Sequence, residues 1–185
     1  ALLGPLTAVG LYELSRRREL GETPSLADAL SVATGPAAAP ALTIAAALLL
    51  VFGGWLAAAD GLWTAIIGSE RPEGFAGLAG AVASASGAAL ILVGHVVGAL
   101  FAAVALALSI FSLPMVVDGE RNPFRAMGAS IRAALENPKP LALWGVIVGA
   151  VMAVASAPFL IGLAVALPVL GHATWRLYRR AFPRA

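Results

Sequence analysis

The longest uncharged stretch of the chain runs from Phe75 to Val117, and it constrains the fold more than any other feature. As one α-helix it would be about 60 Å long, because a helix rises about 1.5 Å per residue, whereas the hydrocarbon core of a bilayer is about 30 Å thick. We therefore expect a break, and we place it in the Ser-, Gly- and Ala-rich segment 80–87. Residues 75–84 are then expected to lie at the interface, and residues 88–116 are expected to cross the membrane.

The composition points to the same class of protein. The chain is 60% hydrophobic and 12% charged, whereas a soluble domain is about 45–50% apolar and about 25% charged. The absence of Cys excludes disulfides, thiolate metal sites and iron–sulfur clusters. The net charge of +2 comes from local Arg clusters, so we predict no nucleic-acid partner. The sequence also shows no nucleophile triad, metal cluster or phosphate-binding loop, so we do not predict an enzyme.

Two proline-started amphipathic segments mark an internal repeat. Thr23-Pro24 and Asn122-Pro123 each pair a capping side chain with a proline at the first helical position. Each segment ends at a further proline and is followed by a span out, a turn and a span back. We therefore divide the chain into residues 1–22 (the end of a membrane helix and an Arg-rich loop), 23–121 (repeat unit one) and 122–185 (repeat unit two).

The predicted fold is an all-α polytopic membrane protein with about five transmembrane helices and two amphipathic helices on the cytoplasmic face. The first span is truncated, so we expect residue 1 to lie inside a membrane helix and the natural chain to begin earlier. The others are expected near residues 41–59, 88–116, 141–157 and 159–178. In the amphipathic helices, the predicted apolar faces are Leu26, Ala29, Leu30 and Ala33, and Phe124, Met127, Ile131, Ala134 and Leu135.

The distribution of charge predicts the orientation. All 12 Lys and Arg residues except Arg71 fall on one side of the five-span arrangement. The positive-inside rule places that side, with the carboxyl terminus, in the cytoplasm. The cytoplasmic set is Arg16, Arg17, Arg18, Arg121, Arg125, Arg132, Lys139, Arg176, Arg179, Arg180 and Arg184.

Asp60 follows the apolar run 41–59 and allows two interpretations. Either the helix continues, tilted, to about Ile67 with Asp60 inside the membrane, or Asp60 caps a second short helix at the outer interface, with Trp55 and Trp63 in the aromatic belt. We favour the second, because an Asp at the centre of a span costs about 2.5–3.5 kcal/mol. Asp60 is also the candidate ion or proton site, although no second intramembrane carboxylate or Lys accompanies it.

His95 and His172 are the only histidines, and they raise the hypothesis of haem ligation. Opposed helices would hold them about 15–20 Å apart along the membrane normal at about 1.5 Å per residue, which disfavours a shared haem. We expect instead that His172 bonds a backbone carbonyl or a carboxylate near the headgroups, and that His95 bonds across a helix interface. We therefore predict no cofactor and no metal site.

Two small-xxx-small motifs occur in adjacent spans, Gly94 with Gly98 and Gly145 with Gly149. Such spacing permits close backbone approach, so we predict that these helices pack together or against a partner. Glu13 is expected to pair with the Arg run that follows it. The predicted lipid and interface anchors, with anionic-lipid binding as their functional interpretation, are Tyr12, Arg16, Arg17, Trp175, Tyr178, Arg179 and Arg180.

Three motifs resemble one family of bacterial integral membrane proteins, catalogued as a domain of unknown function (number 2189). They are GLYELSRRRELGE at 10–22, Leu-Pro-Met at 113–115 before an amphipathic helix ending in Asn137-Pro138, and GHATWRLYRR at 171–180. The resemblance covers nearly the whole chain and implies residence in the bacterial inner membrane. The family carries no established activity. A cytochrome c oxidase label on some members implies an association with respiratory membranes.

Three functions remain open at this point. The first is a non-catalytic accessory or assembly subunit that packs against a larger membrane complex, with the bilayer and other membrane subunits as partners. The second is a small-solute channel or transporter, because repeats and proline-broken spans occur in such proteins. The third is a haem protein of electron transfer. We favour the first, because the spans carry almost no polar groups that could line a path.

Overall fold

The computed structural model describes the backbone of residues 3–183 and the side chains from residue 7 onward, so residue 1 and Arg184 lie outside the described residues. The described part of the chain is all-helical, which confirms the predicted class. The helices are α1 (Leu3–Glu19), α2 (Leu26–Ser31), α3 (Ala38–Ile66), α4 (Gly74–Ala83), α5 (Ala85–Ser109), α6 (Ser112–Val117), α7 (Pro123–Glu136), α8 (Pro138–Ser156) and α9 (Leu163–Ala181).

Three segments in the described part of the chain are long and apolar enough to cross a membrane. They are Ala38–Ile66, Ala85–Val117 and Pro138–Ser156. They coincide with three of the predicted spans. Helix α9 corresponds to a fourth, but its second half carries Arg176, Arg179 and Arg180. The chain forms two compact units, one of Ala1–Leu48 with Leu106–Ala185 and one of Leu49–Ala105.

Helix α1 is the centre of the first unit. It packs against α2, α6 and α9, and its side chains Val9, Tyr12, Glu13 and Ser15 are all buried. The remainder of the core comes from α3, α6, α7 and α9. Gly10 allows α2 to approach, because a Cβ there would lie 3.0 Å from the Ala29 carbonyl oxygen. The sequence marked α1 only as the end of a span and did not indicate this central position.

A break between α5 and α6 interrupts the span predicted at residues 88–116. Helix α5 ends at Ser109 and α6 begins at Ser112, whereas we predicted a continuous helix to residue 116. A break exposes backbone groups that need new partners in an apolar environment. Ser130 of α7, which is fully buried, supplies them: its hydroxyl donates to the Ala107 carbonyl (2.6 Å) and accepts from the Phe111 N–H (3.2 Å).

The second unit contains the later part of α3, all of α4 and most of α5. The break between α4 and α5 falls at Ser84, inside the predicted segment 80–87, and is confirmed. The Ser84 hydroxyl accepts the Gly87 N–H at 3.0 Å, which satisfies one free donor at the start of α5. Helices α3 and α5 approach each other at small residues, and a Cβ on Gly54 would lie 3.3 Å from the Phe101 ring.

The favoured interpretation of Asp60 was wrong. Helix α3 continues without interruption from Ala38 to Ile66, so Asp60 lies within it and caps nothing. Its carboxylate pairs with Arg71 in the loop that follows the helix, and both side chains are more than half exposed. The guanidinium of Arg71 also lies over the Trp63 ring, 5.4 Å from its centroid. This local partner compensates the charge without a helix break.

The apolar faces predicted for the two amphipathic helices divide between buried and exposed side chains. In α2, Leu26 and Leu30 are exposed, while Val32 just beyond the helix is buried. In α7, Met127 and Ala134 are buried, whereas Phe124 and Leu135 are 72% and 75% exposed. The predicted helix start at Asn122 is confirmed, because its side chain caps α7 by accepting the N–H groups of residues 124 and 125. At the other predicted start, Ser25 rather than Thr23 is the N-cap.

The reversal between α8 and α9 lies where Pro158 predicts it. Phe159 and Leu160 adopt φ values of 49° and 67°, a left-handed conformation that is uncommon outside glycine. Gly162 is required at the end of the turn, because a Cβ there would lie 2.6 Å from the Ala155 carbonyl oxygen. Helix α9 therefore starts at Leu163, four residues later than the predicted span.

Candidate functional site

Aromatic rings connect α1, the residue before α6 and the second half of α9 in the first unit. Tyr12 stacks on Trp175 with ring centroids 6.4 Å apart, and Trp175 lies 5.4 Å from Tyr178. Phe182 continues the series, 5.6 Å from Tyr178 and 5.5 Å from Phe111. Tyr12 and Trp175 are only 7% and 3% exposed. They therefore face the interior of the unit, and the prediction that they anchor the protein in the lipid interface was wrong.

A network of ion pairs surrounds these rings. Arg179 donates to Glu19 at the end of α1 (2.9 Å) and to Asp118 at the end of α6 (2.8 Å). The same two carboxylates accept the Trp175 indole N–H (3.0 Å) and the Tyr178 hydroxyl (3.0 Å). Arg179 thus joins three helices through charge-assisted hydrogen bonds. It too serves the interior of the unit, which corrects its assignment as a lipid anchor.

The Arg run of α1 is neutralised nearby. Glu13 accepts hydrogen bonds from Arg16 (2.7 and 2.8 Å) and Arg17 (2.8 Å), as the sequence predicts. Arg17 also pairs with Asp28 of α2 at 2.9 Å. The backbone N–H of Ser25, followed by its hydroxyl and by the Arg17 guanidinium, holds the pKa of Asp28 below its ordinary value. Arg16 and Arg17 are therefore half-buried structural partners, and their role as lipid anchors is not supported by this geometry.

His172 faces α1 rather than a carbonyl or carboxylate, which corrects our expectation. Its Nδ1 lies 2.7 Å from the Ser15 hydroxyl, and that hydroxyl donates to the Leu11 carbonyl at 2.9 Å. With the Ser15 proton directed to Leu11, the Nδ1–H of His172 is the donor. This is the opposite of the arrangement in which a histidine activates a serine nucleophile. The pair borders a cavity of about 570 Å³ whose walls also carry Arg18, Arg176, Arg179 and Arg180.

His95 bonds within its own helix, not across a helix interface as predicted. Its Nδ1 lies 2.7 Å from the Ile91 carbonyl oxygen, one turn earlier in α5. His95 also lines a groove of about 670 Å³ between α3 and α5 in the second unit. The rest of the wall is apolar apart from two indole groups, and the Nε1 of Trp63 is buried without a hydrogen-bond partner.

The candidate ion site, Asp60, has the guanidinium of Arg71 as its partner. Asp60 is absent from the lining of the α3–α5 groove and is paired with Arg71. Among residues 3–183, no three His, Cys, Asp or Glu side chains come together as metal ligands. The ion or proton site at Asp60 stays a prediction. So do the hypothesis of haem ligation by His95 and His172 and the expected separation of the two histidines along the membrane normal.

The four glycines of the small-xxx-small motifs divide into two kinds. A Cβ on Gly98 would lie 3.6 Å from the Trp55 indole, and one on Gly145 would lie 3.0 Å from the Leu106 side chain. Gly94 and Gly149 have open space beside them. That the two motif helices pack together stays a prediction. The close contact that the sequence analysis missed is Gly171 of α9, where a Cβ would lie 2.9 Å from Leu11 of α1.

These features define an integral membrane protein with several apolar helices, whose first unit is held together by aromatic rings and arginine–carboxylate pairs. The chain belongs to the family described as "Predicted integral membrane protein (DUF2189)", whose profile matches residues 1–118. This confirms the family that the sequence motifs resemble, while the motif at 171–180 lies outside the matched residues. No curated protein and no solved structure matches the chain.

Proposed function

We propose that this protein is a non-catalytic accessory or assembly subunit that packs its spans against other subunits of a larger membrane complex. The observation that supports the proposal is the poor burial of those spans. Ala155 is the one buried residue of α8, and fewer than a quarter of the residues are buried in the most apolar stretches of Ala38–Ile66 and Ala85–Val117. Polytopic proteins bury helix faces against one another, and these helices keep faces that no other described part of the protein covers.

The outer side of α8 has the chemistry of a helix–helix interface. Ala142, Val146, Gly149 and Ala153 follow one another at helical spacing and are all exposed. Small residues allow two backbones to approach closely in a membrane, where van der Waals packing drives association. The inner side of the same helix is occupied, with Gly145 against Leu106. The outer stripe therefore offers a packing surface to a helix from another subunit.

The proposal includes a topology of five spans in the bacterial inner membrane. Helices α1 and α9 add to the three apolar segments, and the Arg-rich ends of both face the cytoplasm. The repeat of residues 23–121 and 122–185 belongs to this proposal. Respiratory and other energy-transducing complexes are the partners to examine first.

The subunit proposal is tested by gentle detergent extraction from native membranes, followed by native electrophoresis and identification of co-migrating proteins. We expect migration in a complex, and we expect Gly149→Leu to release the protein from it by filling the outer stripe of α8. Gly61→Leu is the matched control, because it adds the same side chain to an exposed glycine of α3 with open space beside it. Migration of the unaltered protein alone would contradict the proposal.

The topology is tested by cysteine labelling, for which the chain has no background because it contains no Cys. Ser69→Cys lies in the loop after α3, and Ser25→Cys lies at the start of α2. A membrane-impermeant maleimide added to intact spheroplasts should label Cys at position 69 and should label Cys at position 25 only after lysis. The reverse pattern would refute the orientation.

A further inference from the structure

Helix α7 presents three distinct faces, each with its own chemistry. Ala126, Met127, Ser130 and Ala134 are buried in the core of the first unit. A second face, about a third of a turn away, carries the exposed apolar side chains of Phe124 and Leu135. The third face carries Arg125, Arg132 and Glu136. A helix with separate protein-facing, apolar and charged faces is suited to lie in the headgroup region of a bilayer.

The charged face borders a groove that also includes the start of α8 and the end of α9. We call it the interfacial groove; its volume is about 810 Å³, within the usual range for small-molecule sites. The apolar part of its wall includes Phe111, Leu141, Leu177 and Phe182. The guanidinium groups of Arg125, Arg132 and Arg180 border the same space. One groove therefore combines an apolar wall with a cationic rim.

The cationic rim is not neutralised by the protein. Arg132 and Arg180 have no ion pair with any described carboxylate, in contrast to Arg179 beside them, which has two. Arg125 has only a distant contact of 3.9 Å with Glu120, and its side chain is largely exposed. Glu136 is the one acidic residue in the lining. Three guanidinium groups facing one carboxylate leave the groove with an excess of positive charge.

We propose that the interfacial groove binds an anionic phospholipid of the surrounding bilayer. The guanidinium groups of Arg132 and Arg180 bind the headgroup phosphate, because the planar guanidinium donates two parallel hydrogen bonds to phosphate oxygens. An acyl chain lies along Phe111, Leu141, Leu177 and Phe182. The apolar wall favours a lipid over a free phosphate ester or an acidic peptide. The exposed Phe124 and Leu135 place the groove at the depth where lipid phosphates lie.

The test uses the full chain, delipidated in a neutral detergent and titrated with short-chain phosphatidylglycerol or phosphatidylcholine while bound lipid is counted by native mass spectrometry. We expect tighter binding of phosphatidylglycerol. The variant R132Q/R180Q should weaken it about thirtyfold, at about 1 kcal/mol for each basic residue and 1.4 kcal/mol for each tenfold change. The matched control is R121Q/R176Q, which removes two exposed Arg residues outside the groove.

Each arm has an outcome that overturns the proposal. Equal binding of the two lipids would show that the groove does not distinguish the net negative headgroup of phosphatidylglycerol from the zwitterionic headgroup of phosphatidylcholine. An equal loss in R121Q/R176Q would show that general surface charge, not the groove, attracts the lipid. Competition by glycerol phosphate at the same concentration as the lipid would show that the apolar wall contributes nothing. Loss of helical circular dichroism in either variant is checked first, and R132K/R180K should bind with intermediate affinity, because an ammonium group keeps the charge but lacks the planar fork.

Discussion

Arg179 is the side chain whose loss should most weaken the first unit. It is 13% exposed and joins α9 to Glu19 of α1 and to Asp118 of α6, whose side chains are 38% and 15% exposed. Removing one partner of a fully buried ion pair costs about 3–5 kcal/mol, whereas an exposed pair contributes about 0–1 kcal/mol. The Asp118 contact is nearly buried, so its loss should cost close to the figure for a buried pair. The Glu19 contact is more exposed, so its loss should cost closer to the figure for an exposed pair. We therefore expect Arg179→Gln to lower the free energy of unfolding by about 2–3 kcal/mol.

The measurement is unfolding of the protein in mixed micelles by increasing SDS, followed by the loss of helical circular dichroism. Arg176→Gln is the matched control, because it removes the same charge from an exposed position of the same helix. We expect the control to change the free energy of unfolding by no more than about 0.5 kcal/mol. Arg179→Lys should fall between the two, because an ammonium group keeps the charge but lacks the fork that reaches both carboxylates.

A double-mutant cycle locates the effect. If Arg179→Gln destabilises by leaving the Asp118 charge half-compensated, then adding Asp118→Asn should recover part of the loss, and the two changes should couple by about 1–2 kcal/mol. Equal stability of Arg179→Gln and Arg176→Gln, or strict additivity with Asp118→Asn, would refute the reasoning that this guanidinium joins three helices.

Three further predictions test other contacts. Gly171→Ala places a Cβ 2.9 Å from a side chain of α1 and should cost about 1–3 kcal/mol in the same SDS assay, whereas Gly149→Ala meets open space and should be neutral. Gly87→Ala places a Cβ 2.3 Å from two carbonyl oxygens of α4 and should disrupt that corner more severely than Gly80→Ala, as seen by protease sensitivity of the α4–α5 region. Because the pKa of Asp28 is lowered in the folded state, its contribution is present at neutral pH and is lost as the pH falls below about 4. NMR shifts of the α2 amides should report that loss and should be insensitive to pH in Asp28→Asn.

The sequence predicted the positions of helix starts and apolar segments well, because these depend on local chemistry. Asn122 before Pro123 caps α7 as expected, and the break at Ser84 lies in the segment rich in small and hydroxyl residues. The break between α5 and α6 could not be predicted in the same way. It depends on Ser130, which is about 20 residues away in the chain and satisfies the freed backbone groups from another helix.

The direction in which side chains face was predicted less well, for a reason specific to membrane proteins. In water, an apolar face marks the protein interior, but in a bilayer lipid-facing and protein-facing residues are equally apolar. Phe124 and Met127 therefore look alike in the sequence, although one is exposed and the other buried. The same ambiguity applies to aromatic and Arg residues near the end of a span, where an anchor at the interface and a buried ion-paired cluster use the same residue types.

The two motifs that look alike in the sequence are also partners in space. Aligning GLYELSRRR with GHATWRLYRR places Tyr12 on Trp175 and Arg16 on Arg179, and in the structure Tyr12 stacks on Trp175 itself. Contacts between α1 and α9 advance together along both helices, from Leu11 with Gly171 to Glu19 with Arg179, so the helices run parallel. Two parallel helices that both end in clustered Arg residues pack more favourably when nearby carboxylates neutralise those charges. The carboxylates of Glu13, Glu19 and Asp118 neutralise Arg residues of both helices. The Arg residues that predict the orientation from the sequence can therefore also form ion pairs inside the first unit.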